Sequence, residues 1–129
     1  MVREGRDVTV VALALMVQRA LVACDQLAGE GTQVELIDSR TVAPLDVETI
    51  RKSVAKTGRL LIVDEAFGPY GFGAEIAAQI ADVGFDELDA PIRRLNGVHT
   101  PTPYSPPLEA VVVSDVEAIV RAVRDLVAE

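Results

Sequence analysis

The side chains that could support acid–base or metal chemistry are few in this 129-residue sequence, and most of them are carboxylates. Asp64 and Glu65 are adjacent, and neighbouring carboxylates can shift each other's pKa or hold a cation. Adjacent residues in a strand point to opposite faces of the sheet, so the pair diverges unless the strand has ended. We therefore favour a helix cap or a loop anchor over a metal or acid–base site.

The single histidine and the single cysteine do not indicate nucleophilic chemistry. His99 lies in a proline-rich stretch, with no serine or cysteine at a spacing that identifies a catalytic triad. Cys24 falls on the apolar side of a helical pattern, where a thiol is buried and unreactive. A lone cysteine also excludes an internal disulfide and a multi-cysteine metal site. The sequence therefore predicts no catalytic residue and no metal ligand.

Gly68, Gly71 and Gly73 form a GxxGxG pattern that could suggest a phosphate-binding turn. The dinucleotide fingerprint is instead GxGxxG after the first strand, and no GK[ST] sequence of a Walker loop is present. We interpret Gly71 and Gly73 as structural residues that allow a tight turn and a close approach of a helix to a sheet. Phosphate binding at this turn is the alternative.

Charge is unevenly distributed. The chain has 20 acidic and 12 basic residues, a net charge of −8, and no basic stripe, which argues against nucleic-acid binding. Asp82, Asp86, Glu87 and Asp89 form an acidic cluster without a base inside its span. A solvated helix end is the common explanation of such a cluster, and a docking patch for a basic partner is the other.

Apolar runs alternate with helical patterns along the chain. Strands are predicted at residues 8–14, 33–38, 59–63 and 92–95. Helical spacing follows the first three runs, with Asp46 as an N-cap and Gly58 as the end of the second helix. The last helix is predicted to begin at a capping box, Ser114 to Glu117.

These elements predict one domain, residues 1–129, with an α/β fold. Because parallel strands joined by helices need right-handed crossovers, helices should cover both faces of a mostly parallel sheet, which makes a three-layer α/β/α sandwich. No apolar run approaches the roughly 20 residues of a membrane helix, and no signal-peptide pattern opens the chain. The low cysteine content indicates a reducing cytoplasm.

A proline-rich segment follows the fourth predicted strand. Its four prolines are Pro101, Pro103, Pro106 and Pro107. Proline fixes φ and lacks an N–H donor, so we expect residues 97–107 to form an ordered, extended loop rather than a helix or a central strand.

Three phrases, in this order, resemble one family. Residues 38–46 read DSRTVAPLD, residues 65–77 begin with EA and end with GFGAEIA, and residues 100–109 read TPTPYSPPLE. Together they are similar to the C-terminal domain of the beta subunit of thiamine-diphosphate-dependent 2-oxo acid dehydrogenases, which include the pyruvate, branched-chain 2-oxo acid and acetoin enzymes. The resemblance covers essentially the whole chain and implies the transketolase C-terminal-domain fold.

The resemblance implies an assembly and docking domain that supports oxidative decarboxylation and acyl transfer to lipoyl. In the family, thiamine diphosphate and magnesium are held by a preceding domain and by the alpha subunit, so this chain is expected to bind no cofactor and to be inactive alone. The implied partners are the alpha subunit, a second beta subunit and the peripheral subunit-binding domain of the acyltransferase core, with no nucleic acid and no membrane.

The family pattern also implies site residues. The docking acid before Ala-Pro corresponds to Asp89 and the terminal carboxylate to Glu129, and Asp86 is assigned to the same partner-binding surface. Two departures stand out. Ala14 occupies a turn where relatives tend to have glycine, and only residues 1–4 remain of an antiparallel edge strand. The neighbouring edge at residues 33–38 is therefore expected to be open for self-association.

Two other functions fit the same residues. One is a free-standing α/β ligand-binding or regulatory module, and the other is the C-terminal domain of a different transketolase-type enzyme. The proline-rich phrase at residues 100–109 favours the dehydrogenase branch. The residues that select among 2-oxo acids lie outside this sequence in the family, so the resemblance names no single substrate.

Overall fold

The computed structural model describes the whole chain, Met1–Glu129, and is built on one four-stranded sheet. The strands are β1 (Val8–Ala12), β2 (Val34–Asp38), β3 (Leu60–Phe67) and β4 (Arg93–Gly97). The helices are α1 (Leu15–Gly29), α2 (Val47–Thr57), α3 (Phe72–Val83), α4 (Pro106–Val112) and α5 (Val116–Ala128), with a 3-10 turn at Phe85–Glu87. All strands pair in parallel in the order β2-β1-β3-β4.

Helices cover both faces of the sheet. Val10 and Leu61 belong to an apolar cluster with α1 and α5, whereas Val11 and Ile62 belong to a second cluster with α2 and α3. Successive strand residues point to opposite faces, so the nearly continuous apolar run of β1 supplies both clusters. The predicted three-layer α/β/α sandwich is confirmed.

Helix ends follow the capping chemistry in the sequence, with one correction. The Asp46 carboxylate accepts the Thr49 N–H at 3.1 Å, and Gly58 ends α2 with φ of 68°, as predicted. The predicted capping box at Ser114 is wrong. Asp115 is the N-cap of α5 and accepts the Ala118 N–H at 2.8 Å, while the Ser114 hydroxyl donates to the Asn96 carbonyl.

The third strand is longer than predicted. It runs on to Phe67, which pairs with Gly97 of β4 after an irregularity in the ladder that begins at Val63. Asp64 and Glu65 therefore lie inside a strand and not after its end. Pairing with β4 extends the strand beyond its apolar run, and sequence pattern alone gives no sign of that pairing.

The proline-rich segment contains a helix that was not predicted. Pro106 and Pro107 occupy the first turn of α4, so the expectation of a non-helical chain through residue 107 is wrong at its end. The first N–H groups of a helix need no intrahelical acceptor, which makes proline acceptable there. Pro101 and Pro103 lie outside any helix or strand, as expected.

The first residues pair antiparallel with the outer edge of β2. Leu36 donates its N–H to the Arg3 carbonyl at 2.9 Å and accepts the Val2 N–H at 2.8 Å. Val2 and Arg3 therefore cover the edge of β2 at Leu36, so the expectation that this edge is open for self-association is wrong there. None of the helices is long and apolar enough to cross a membrane.

Candidate partner-docking surface

Asp89 lies at the amino end of the sheet, four residues before β4 begins at Arg93. Its N–H donates to the Gly58 carbonyl at 2.8 Å, and its side chain is exposed. A Cβ on Gly58 would overlap the Asp89 carboxylate. Gly58 therefore serves twice, as the left-handed end of α2 and as the space into which the Asp89 side chain fits.

Glu129 lies at the same end of the sheet. Its side chain forms an ion pair with Arg93, the first residue of β4. The Arg59 side chain, directly after Gly58, donates Nε–H to the Leu126 carbonyl at 3.2 Å. The turn at Gly58 and Arg59 thus contacts both Asp89 and the end of α5. Asp89 and Glu129, which are 40 positions apart in the sequence, therefore lie at the same end of the sheet.

The acidic cluster divides into exposed and paired members. Asp82 and Asp86 are exposed, as Asp89 is. Glu87 instead forms an ion pair with Arg51 of α2. The cluster contains no basic residue of its own, but Arg51 of α2, 36 residues away in the sequence, pairs with Glu87. Glu87 therefore has a structural partner, and the other three carboxylates face solvent.

An apolar groove of about 600 Å³ borders Asp89. Its apolar lining comes from α3 and from the chain between α3 and β4: Ala77, Ala81, Phe85, Leu88, Ala90, Pro91 and Ile92. Phe85 is 72% exposed, which is unusual for a phenylalanine. Sequence analysis did not identify Phe85, although an aromatic residue among carboxylates was the available signal.

The glycine turn lies at the opposite, carboxyl end of the sheet. Gly71 is the N-cap of α3, where a Cβ would overlap the Phe67 carbonyl, and a Cβ on Gly73 would lie 3.2 Å from the Ile62 side chain. Tyr70, which directly precedes Gly71 in this turn, adopts a φ of 57°. The close packing supports a structural role for both glycines.

The other candidate residues are dispersed. His99 is exposed and its ring packs against Phe67 with centroids 5.1 Å apart. Asp64 accepts the Ala66 N–H at 3.1 Å, which is a local contact between two residues of β3. Cys24 is buried, and burial raises the pKa of its thiol to about 11. No group of three or more His, Cys, Asp or Glu side chains has a metal-binding arrangement.

Comparisons with known proteins cover nearly the whole chain. The family model described as "Transketolase, C-terminal domain" matches residues 1–119. The rice "Pyruvate dehydrogenase E1 component subunit beta-2, mitochondrial" is 45% identical over 122 residues, which are 95% of this chain and 32% of the relative. The Bacillus subtilis "Acetoin:2,6-dichlorophenolindophenol oxidoreductase subunit beta" is 44% identical over 127 residues, or 98% of this chain and 37% of the relative.

A solved structure shares the fold. The "Split gene transketolase, inactive beta4 tetramer" superposes with a TM-score of 0.81 at 28% identity, over 98% of this chain and 41% of that one. The chain spans about a third of the length of the curated relatives it matches.

Proposed function

Because the chain belongs to the transketolase C-terminal domain family, we propose that it is the assembly and docking domain of the beta subunit of a thiamine-dependent 2-oxo acid dehydrogenase. The similar relatives are named as beta subunits of pyruvate dehydrogenase and of an acetoin oxidoreductase. In this proposal residues 1–129 form one domain of a cytoplasmic pyruvate, branched-chain 2-oxo acid or acetoin enzyme. The alpha subunit and a second beta subunit are its assembly partners.

Thiamine diphosphate and magnesium belong, in this proposal, to the remainder of the enzyme. A diphosphate site needs free N–H donors and positive charge. At the glycine turn the Gly71 N–H already donates to the Gly68 carbonyl, and the carboxyl groups of Asp64 and Glu65 lie directly upstream. These residues do not fit the cofactor, so we assign this chain no catalytic step. Decarboxylation of a 2-oxo acid by the purified chain would contradict the proposal.

The docking role is supported by one observation above all, the placement of Asp89. Its carboxylate is exposed, positioned by the Gly58 turn, and bordered by an apolar groove. An arginine can make a charge-assisted, bidentate contact with such a carboxylate, and an apolar side chain beside that arginine can enter the groove. The peripheral subunit-binding domain of the acyltransferase core is the basic partner that we propose.

Binding of that domain to the immobilised chain, followed by surface plasmon resonance at low salt, tests the docking role. Asp89→Asn keeps the shape and removes the charge, and we expect it to raise Kd at least about tenfold, as for a carboxylate desolvated on binding. Asp86→Asn should have a smaller effect, mainly on the association rate. Glu4→Gln removes a carboxylate near the β2 edge and is the matched control. Equal affinity of the Asp89→Asn and Glu4→Gln variants would refute the assignment.

A further inference from the structure

A second cavity lies at the amino end of the sheet, where β4 begins. It has a volume of about 320 Å³ and lies between β4 and α5, whereas the groove that borders Asp89 lies against α3. Ile92 lines the groove and the next residue, Arg93, lines the second cavity, because consecutive residues of an extended chain point to opposite faces of the sheet. The start of β4 therefore has a cavity on each face.

Apolar and acidic side chains line the second cavity together. Its apolar lining comes from β3, β4 and α5: Leu61, Leu95, Ala122 and Leu126. Its acidic lining is Asp125 and Glu129, which are four residues apart at the end of α5 and therefore on the same side of that helix. A long basic side chain fits such a lining, because its methylene groups can contact apolar atoms while its charged group reaches a carboxylate.

Arg93 already supplies that charged group from within the chain. Its guanidinium forms an ion pair with Glu129, while Asp125 is exposed. The side chains of Arg93 and Glu129 are 52% and 31% exposed, and an ion pair that is open to water contributes little to stability because solvent screens it. The contact is therefore weak enough to be exchanged for a stronger one.

A partner that covers the cavity provides the stronger contact. An arginine of the partner can bind Glu129 with two charge-assisted hydrogen bonds, and the interface around it excludes the water that screens the internal pair. Arg93 must leave the carboxylate first, and its positive charge repels the incoming arginine. The internal pair thus opposes docking at this cavity, while the Asp89 carboxylate on the other face is exposed.

We propose that Arg93 is an intramolecular competitor of the docking partner: it occupies Glu129 in the free chain and is displaced when a basic side chain of the partner enters the second cavity. The inference rests on the proposed docking function and concerns its regulation. A protein with a single basic side chain is held at Asp89 alone. A partner that places basic side chains on both faces of β4 gains both contacts, so the internal pair favours that partner over other basic proteins.

Surface plasmon resonance with the basic peripheral subunit-binding domain at low salt tests the competition. Arg93→Gln frees Glu129, and we expect Kd to fall about fivefold. Arg94→Gln is the matched control, since it removes the same charge from a side chain that donates to the Gly68 carbonyl and not to a carboxylate, and its Kd should fall less than about twofold. Arg93→Lys keeps the competing charge and should bind nearly as wild type does.

The sign of the effect distinguishes competition from a structural role. If Arg93 only fixed the end of α5, its loss would release Glu129 and weaken docking. In a Glu129→Gln chain, replacing Arg93 should change Kd no more than replacing Arg94 does.

Equal Kd values for Arg93→Gln and Arg94→Gln, weaker binding by Arg93→Gln than by wild type, or a full Arg93 effect without Glu129 would each overturn the competition while the docking function stands. Failure of both the wild-type and the Arg93→Gln chains to bind the domain would refute the docking function, and the competition with it.

Discussion

The two ends of the sheet differ in their side-chain hydrogen bonding and in their backbone conformation. At the amino end the buried Thr9 hydroxyl lies 2.7 Å from those of both Ser53 and Thr57. At the carboxyl end two non-glycine residues, Ala14 and Tyr70, have φ values of 47° and 57°. The buried hydroxyls of the amino end are hydrogen-bonded within the chain, while the carboxyl end has backbone strain beside its exposed side chains.

This difference distinguishes residues whose contacts stabilise the fold from residues that remain strained or exposed within this chain. Satisfied polar groups hold Asp89 and the end of α5 in place without help from another polypeptide. Strained or apolar surface costs free energy when it is left to solvent, and it persists where a function or a partner compensates for it. We therefore expect substitutions at the Gly58 turn and in the buried hydroxyl network of the amino end to lower folding stability, and relief of backbone strain at the carboxyl end to raise it.

The largest effect is expected at the Gly58 turn. Gly58→Ala places a Cβ at a φ of 68° and against the Asp89 carboxylate, so we expect the free energy of unfolding to fall by about 2–4 kcal/mol. The variant should also bind the basic domain more weakly, because Asp89 must move. Urea denaturation gives the first quantity and surface plasmon resonance the second.

A second glycine provides the control. Gly29 ends α1, and a Cβ added there would have no neighbouring atom within 4 Å, so Gly29→Ala should leave stability unchanged or raise it by about 0.5 kcal/mol. If the two variants had equal stability, the Gly58 turn would not be the constrained feature described above.

The next effect is expected inside the hydroxyl network. Thr9→Val preserves the shape but leaves the buried Ser53 hydroxyl without this partner, and we expect a loss of about 2 kcal/mol by thermal or urea denaturation. Thr102→Val makes the same change at an exposed position and should be nearly neutral. A neutral Thr9→Val variant would show that the network does not stabilise the amino end.

Local signals predicted the fold well, and long-range contacts account for what they missed. The N-cap at Asp46 and the glycine at Gly58 are determined within one turn of chain, so the sequence could identify them. The ion pair of Glu87 with Arg51 and the extension of β3 depend on partners about 30 or more residues away. The sequence placed Asp89 in an acidic cluster, but its assignment as the proposed docking acid came only from family resemblance, because nothing in its local sequence reveals that Gly58 positions it.

A smaller effect, of opposite sign, is expected at the strained carboxyl end. Ala14 has φ of 47° and ψ of −123°, a conformation that favours glycine, and its side chain is exposed. Ala14→Gly should therefore raise the free energy of unfolding by about 1 kcal/mol. Ala55→Gly, in the exposed interior of α2, should lower it by about the same amount. A destabilised Ala14→Gly variant would contradict the strain assigned to this end.

The smallest effect is a pH dependence at Glu35, which lies beside Thr9 at the amino end. Burial opposes its ionisation, but hydrogen bonds from Lys56, Ser53 and the Gly5 N–H outweigh burial and hold the pKa of Glu35 below its usual range. A carboxylate with a depressed folded-state pKa stabilises the fold above its unfolded pKa, near 4.3, and this stabilisation is lost as pH falls through the folded value.

The comparison with Lys56→Met isolates that contribution. Because Lys56 is half exposed, solvent screens the pair, and we expect the variant to lose at most about 1 kcal/mol near pH 7. The difference from wild type should shrink as Glu35 becomes protonated, since the neutral acid no longer attracts the ammonium group. Lys52→Met removes an exposed lysine of the same helix and controls for net charge. A Lys56→Met deficit that stays constant from neutral pH to pH 3 would show that packing, rather than the charge of Glu35, distinguishes this part of the amino end.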